Sequence, residues 1–248
     1  MDVLSELRSR ISLNNFQLKV IAVVSMLIDH TADAIPWFRA ASVRPLYLLM
    51  RCVGRLAFPL FAFLIAEGAV KTRNIWKYAL RLAVFAVICE IPFDLKGEGR
   101  LFYWGHQNTL FTLLLGLLAI IGFRWLTEEK RKARRGKTAY LAGFLWMAAC
   151  VVLGQFIKAD FRAPGVLLVI GFYFWRTEME SSDVFAVFLM LAMGVAWRTN
   201  MLQLFSLLAF IPIFLYNNQL GRKVPRYTFY VVYLAHLLIL GGLRLLMK

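Results

Sequence analysis

The sequence predicts an all-α protein: a polytopic transmembrane helix bundle of about nine spans, N-terminus cytoplasmic, forming a single domain over residues 1–248. Three observations predict it. Apolar residues make up 60% of the chain and charged ones only 17%, against about 45–50% and about 25% in soluble domains, and the mean hydropathy is +0.65. Apolar runs approaching the roughly 20 residues that cross a bilayer core as a helix recur along the chain, too closely spaced for a separate soluble domain. Runs such as "AYLAGFLWMAACVVL" do not alternate apolar with polar residues, which excludes a barrel.

The spans are expected in order. The first, 18–34, follows a start holding Asp2, Glu6, Arg8 and Arg10, and its apolar run begins only after Lys19. It shows neither the short basic start nor the small-residue cleavage site of a signal peptide, so it is expected to stay. The second, 53–70, is preceded by "VRPLYLLMRC" (43–52), an interfacial or re-entrant helix or an extension of that span. The third, 75–93, contains Pro92, expected to kink or end it. The fourth and fifth, 108–126 and 139–157, are long apolar runs. The sixth and seventh, 164–176 and 184–198, are the shortest. The eighth and ninth are 201–216 and 228–246.

The net charge of +15 does not imply nucleic acid, because no soluble segment carries a basic face interleaved with aromatics. It fits basic residues held in cytoplasmic loops. With the N-terminus inside, nine spans place 18 of the 29 Lys and Arg on the inner side. The loop "EEKRKARRGK" is the strongest such signal, an anchor against anionic lipid. A multi-pass protein of the cell membrane follows, with the lipid bilayer as partner; a bacterial inner membrane is expected, and an oligomer is allowed. No internal repeat is visible, which weighs against the inverted-repeat transporters. Cys52, Cys89 and Cys150 lie in apolar stretches without a CxxC and read as small core residues. The three histidines are far apart, and no metal is expected.

An ionisable side chain at mid-membrane costs about 2.5–3.5 kcal/mol, so each one needs a partner or a task. Asp29 and His30 fall at the outer end of the first span. Adjacent helical residues point apart, so Asp29 cannot orient His30, whereas Asp33 at i+3 could. A neutral imidazole there suits a general base; the alternative is a polar helix end. Arg51 and Arg55 share a helix face at i, i+4 and repel unless an anion sits between them, either a ligand or Asp29, Glu90 or Asp94. Glu67, near the inner end of that span, reads as a surface residue or a gate. Lys71, Arg73, Lys77 and Arg81, with Asn74 among them, form a basic cluster at the cytoplasmic face. They suit a polyphosphate head, or simply the positive-inside bias. Glu90, Asp94, His106, Gln107, Asn108 and Thr109 fall at the level of His30. His236 shares a face with Tyr233 and reads as a hydrogen-bonding residue within the bundle.

These motifs resemble the TraX family, named for acetylation of the F-pilus pilin N-terminus. The resemblance rests on "LKVIAVVSMLIDH", "GRLAFPLFAFLIAEG", "KTRN", "RLAVFAVICEIPFDL", "HQNTLFTLLLG" and "FYVVYLAHLLIL", in family order over most of the chain. Ala32 stands where such proteins often have glycine, which tells against a special turn there. The family is distantly similar to polytopic acyltransferases using cytosolic acyl-CoA, such as the lysosomal heparan glucosaminide acetyltransferase. The resemblance implies an acetyltransferase with acetyl-CoA as acyl donor and His30 as base. Asp29, Glu90, Asp94 and His106 would assist it. Arg51, Arg55, Lys71, Arg73, Asn74, Lys77, Arg81 and Asn108 would hold the cofactor, with Arg55 or Asn108 steadying the oxyanion. A peptide N-terminus, a lipid or a glycan would accept the acyl group. The rival readings are a proton-coupled transporter with Asp29, His30, Glu90 and His106 as relay, and a non-catalytic assembly scaffold.

Overall fold

The computed structural model describes residues 11–127, 129–177 and 201–247, with the backbone alone over 129–136 and at 201. Helix α1 is Asn15–Ala34, followed by 3-10 turns at Pro36–Arg39 and Ala41–Val43. Then come α2 (Arg44–Gly54), α3 (Ala57–Lys71), α4 (Ile75–Ile88), α5 (Glu90–Glu98), α6 (Thr109–Thr127), α7 (Glu129–Phe156) and α8 (Arg162–Thr177). A 3-10 stretch Met201–Ala209 leads into α9 (Phe210–Phe214), and α10 is Thr228–Leu246. Among the described residues the extended pairings are isolated bridges, Leu13 with Tyr216 and Gln107 with Ala159.

The all-helical expectation holds. Four stretches are long and apolar enough to cross a membrane: Ala41–Lys71, Thr109–Thr127, Lys137–Phe156 and Thr228–Leu246. The span expected at 184–198 lies outside the described residues. Helix α1 starts on a capping box: Asn14 Oδ1 accepts from the Gln17 N–H at 3.0 Å, and Gln17 Oε1 from the Asn14 N–H at 2.9 Å. It runs unbroken past Ala32.

Three expected spans are corrected, each at a proline. Pro59 has no N–H for the Arg55 carbonyl four residues back, and its ring crowds that oxygen. Helix α2 therefore stops at Gly54 and α3 starts at Ala57, leaving Arg55 at a bend inside one apolar stretch. Residues 43–52 extend the second span rather than standing apart from it. Pro92 does the same to Ile88: the expected 75–93 span is a 14-residue α4 and a nine-residue α5. Gly99, at φ 68°, closes α5 in the left-handed region that favours glycine. Pro212 denies a bond to the Leu208 carbonyl, so 201–216 is 3-10 before α9 rather than one regular helix. The basic stretch expected as a loop is helical backbone from Glu129 onward, because Glu, Lys, Arg and Ala are strong helix formers.

The core packs Leu18, Leu60, Phe63, Leu117, Phe172 and Leu237 from five helices. Helices α6 and α8 approach closely: a Cβ on Gly116 would lie 2.5 Å from Val169, the small-residue packing that membrane helices use. Arg244 on α10 donates from Nη1 to the Lys96 carbonyl at 2.5 Å and also to that of Gly97. That contact caps α5 and ties the last helix to the site.

Candidate functional site

Helices α1 and α2 and the bend ahead of α3 build an arginine–carboxylate clamp. Arg55 Nη2 donates to both oxygens of Asp29 at 2.6 Å each. Arg51 Nη1 lies 3.2 Å from Asp29 Oδ2 and donates to the Asp29 carbonyl at 3.4 Å. The anion that reconciles the two guanidiniums is thus Asp29. Gly54 makes room for it: a Cβ there would lie 2.3 Å from Asp29 Oδ1. Arg55 Nε donates to the Arg51 carbonyl at 3.3 Å, and Nη1 of Arg55 stays uncommitted among the described residues.

His30, one residue on, turns away from this clamp. Its Nδ1 lies 2.7 Å from Nε2 of His236 on α10, with the two rings edge to edge, their centroids 5.0 Å apart and their planes 25° apart. His236 Nδ1 lies 3.2 Å from the Val232 carbonyl. His30 Nε2 has no hydrogen-bond partner among the described residues.

His30, Asp29, Arg51 and Arg55 line one cavity of about 730 Å³, within the size class of small-molecule and cofactor sites, about 300–1,000 Å³. Asp33, Asp94, Lys96, His106 and Asp160 line it too, as do Lys19, Lys71, Arg81 and Arg226. Asp33 lies 3.3 Å from Lys96 Nζ and 3.3 Å from Arg39. Asp94 Oδ2 accepts from the Tyr103 N–H at 2.7 Å. His106 Nε2 is 3.1 Å from Asp160 Oδ1, and the Thr109 hydroxyl donates to Asp160 Oδ2. The hydrogen bond to Asp160 holds the His106 imidazole above its usual range. Burial pushes the Asp160 carboxyl up, but the hydrogen bonds and charge of His106, with the Thr109 bond, outweigh it and keep that carboxyl low.

Towards Lys71, Glu67 is 1% exposed and the centre of a second network. It meets Lys71 Nζ at 2.6 Å and Arg176 Nε at 2.9 Å, and accepts from the Tyr216 hydroxyl at 2.7 Å. Lys71 also donates to the Asn218 carbonyl at 2.7 Å.

The family model described as "TraX protein" matches residues 14–244. The chain belongs to the TraX family. It is 27% identical to the "Probable fimbrial assembly protein FimC, serogroup H1" of Dichelobacter nodosus, over 96% of this chain and 98% of the relative. No solved structure matches it.

In this TraX-family chain the sequence-predicted residues divide. Asp29, His30, Arg51, Arg55, Asp94, His106, Lys71 and Arg81 line the common cavity. Glu90 and Asn108 stand outside its wall and bond each other. The Asn108 N–H donates to Glu90 Oε2 at 3.1 Å, its side-chain amide donates to the same oxygen, and Asn108 Oδ1 accepts from the Leu110 N–H at 3.0 Å, capping α6. Asn108 is therefore not the expected oxyanion donor. Asn74 caps α4, accepting from the Lys77 N–H at 2.9 Å. Arg73, ahead of α4, and Lys77, in its first turn, are exposed and outside the cavity wall. Glu67 is no surface residue. None of Asp29, Asp33, Glu90, Asp94 or His106 orients His30; His236 meets it instead.

The sequence reading missed Lys19 and Arg226. Both line the cavity and have no carboxylate partner among the described residues. Lys19 lies 5.6 Å from the Phe229 ring, and Arg81 lies 5.9 Å from that of Tyr78. With Lys71 neutralised by Glu67, the cations of this wall without a carboxylate partner among the described residues are Lys19, Arg81 and Arg226. A lone lysine just ahead of the apolar run that starts at Val20 was the local signal.

Proposed function

We propose that this TraX-family chain is an integral membrane acetyltransferase. It takes an acetyl group from cytosolic acetyl-CoA to an amine or hydroxyl, with His30 as general base, in a multi-pass fold of about nine spans in the bacterial inner membrane, with its N-terminus on the cytoplasmic side. One observation carries this reading. A single cavity joins an imidazole with a free Nε2 to three cations that no carboxylate neutralises among the described residues.

The 3′-phospho-ADP end of coenzyme A would lie against Lys19, Arg81 and Arg226, where arginine forks suit phosphate oxygens. The pantetheine arm would run along the cavity towards α1 and α2. His30 Nε2 takes the proton of the acceptor, whose nitrogen or oxygen attacks the thioester carbonyl. Arg55 Nη1, its guanidinium braced by Asp29, faces the oxyanion that forms; such a donor is often worth about 3–4 kcal/mol. The intermediate collapses by breaking the C–S bond, and the departing thiolate takes the proton back from His30. The relative's printed role in fimbrial assembly fits a peptide N-terminus as acceptor, while a lipid or glycan would use the same chemistry.

The transporter reading is the weaker one. Its four relay groups are each tied to a different partner: Asp29 to Arg55, His30 to His236, Glu90 to Asn108 and His106 to Asp160. Turnover decides between them. Purified protein with acetyl-CoA and a peptide acceptor should release free thiol, and His30→Ala should abolish the release while keeping its thermal transition. Normal turnover by His30→Ala would refute the assignment.

A further inference from the structure

We infer that His236 is a positioning residue that holds His30 in the tautomer whose Nε2 is unprotonated. The inference rests on the reading of His30 as general base and says how that base is kept ready.

The Val232 carbonyl can only accept, so His236 Nδ1, 3.2 Å away, carries the hydrogen. A neutral imidazole has one N–H, so His236 Nε2 is a lone pair. His30 Nδ1, 2.7 Å from that lone pair, must then be the donor. The one N–H of neutral His30 is now assigned, and its Nε2 is an acceptor. His30 lines the cavity and His236 does not, so the free lone pair belongs to the ring that a ligand can reach.

The surroundings fix His236 as firmly as it fixes His30. It is 6% exposed, with the His30 ring meeting it edge to edge and the Tyr233 ring edge-on at 5.2 Å and 69°. A histidine serving only to fill α10 would be satisfied by Val232 alone. Here its second nitrogen crosses to α1 and meets an imidazole 206 positions away in sequence. When His30 takes a proton at Nε2, the Nδ1–H bond to His236 becomes charge-assisted and strengthens. This is the orienting role that a carboxylate plays in the hydrolase triads.

The chain has three histidines, His30, His106 and His236, so ¹⁵N-histidine spectra in lipid nanodiscs can be assigned from three single variants. At about pH 8, where ordinary imidazoles are neutral, His30 should show a protonated Nδ1 and an unprotonated Nε2. In His236→Leu the His30 signal should move to the Nε2–H form or to a mixture. The kcat for acetyl-CoA turnover should then fall about 100-fold, within the usual range for general base catalysis, with KM for acetyl-CoA within about two-fold. His236→Gln, whose amide oxygen can take the place of Nε2 as acceptor, should recover most of both properties; this variant also separates lost positioning from a failed fold. If His236→Leu keeps the His30 tautomer and its kcat, the inference is overturned while His30 remains the base. If instead His30→Ala turns over normally, the base assignment itself fails.

Discussion

Gly54 and Asp29 meet where a side chain on Gly54 would stand: a Cβ there would fall 2.3 Å from both Asp29 Cβ and Oδ1. The clamp of Asp29 with Arg51 and Arg55 therefore exists only because one residue of α2 has no side chain. Gly54→Ala should expel the carboxylate and strand two guanidiniums. Breaking a buried ion pair in this way costs about 3–5 kcal/mol. Thermal unfolding in detergent checks it, and Asp29→Ala should show a drop of the same size. An unchanged transition in both variants would remove the clamp from the fold's supports.

Phosphate recognition should depend on which cations face the cavity, not on how many lie near it in sequence. Arg81→Glu or Arg226→Glu should raise the Kd for coenzyme A about 10–100-fold, the size of a lost charge-assisted hydrogen bond. The effect should shrink at high salt. Lys77→Glu, outside the wall, should change it little. Titration calorimetry at two ionic strengths reads both; equal effects at all three positions would place the phosphates elsewhere.

Glu67 should matter more for stability than its place near a helix end suggests. Glu67→Ala removes the carboxylate that Arg176, Lys71 and Tyr216 share, and the same magnitude of about 3–5 kcal/mol applies. Denaturant unfolding of Glu67→Ala against wild type measures it. A loss under about 1 kcal/mol would mean the three partners are satisfied without the carboxylate.

The His106–Asp160 pair gives a pH signature. His106 is raised by its bond to Asp160, so its contribution to stability is complete below about pH 6.5 and is lost as pH rises through the raised value. Asp160 is net lowered, so its contribution is complete above about pH 3.9 and is lost as pH falls through the lowered value. The Tm gap between wild type and Asp160→Asn should be widest from about pH 4 to 6.5 and should close in alkali. A gap that does not vary with pH would show that the pair is not ionised.

Much of this protein was legible from short stretches of chain. Helical apolar runs, the break ahead of Pro92 and the polar character of the Asp29–His30 end all depend on residues within a turn or two of one another. So does the pairing of Arg51 with Arg55 on one face. His30, Asp94 and His106, expected near one another, all line one cavity.

What local pattern could not reveal was which partner each polar group meets. Asn74 and Asn108 read as ligand contacts but are helix caps, because capping depends on where a helix starts. Lys71 reads as a free cation but is neutralised within its own helix by Glu67, which Arg176 and Tyr216 reach from far along the chain. His236 meets His30 across 206 positions only because α10 packs against α1. Sequence periodicity says which face of a helix is apolar. It does not say which other helix covers that face, and a hydrogen bond acting over about 3 Å is decided by that packing.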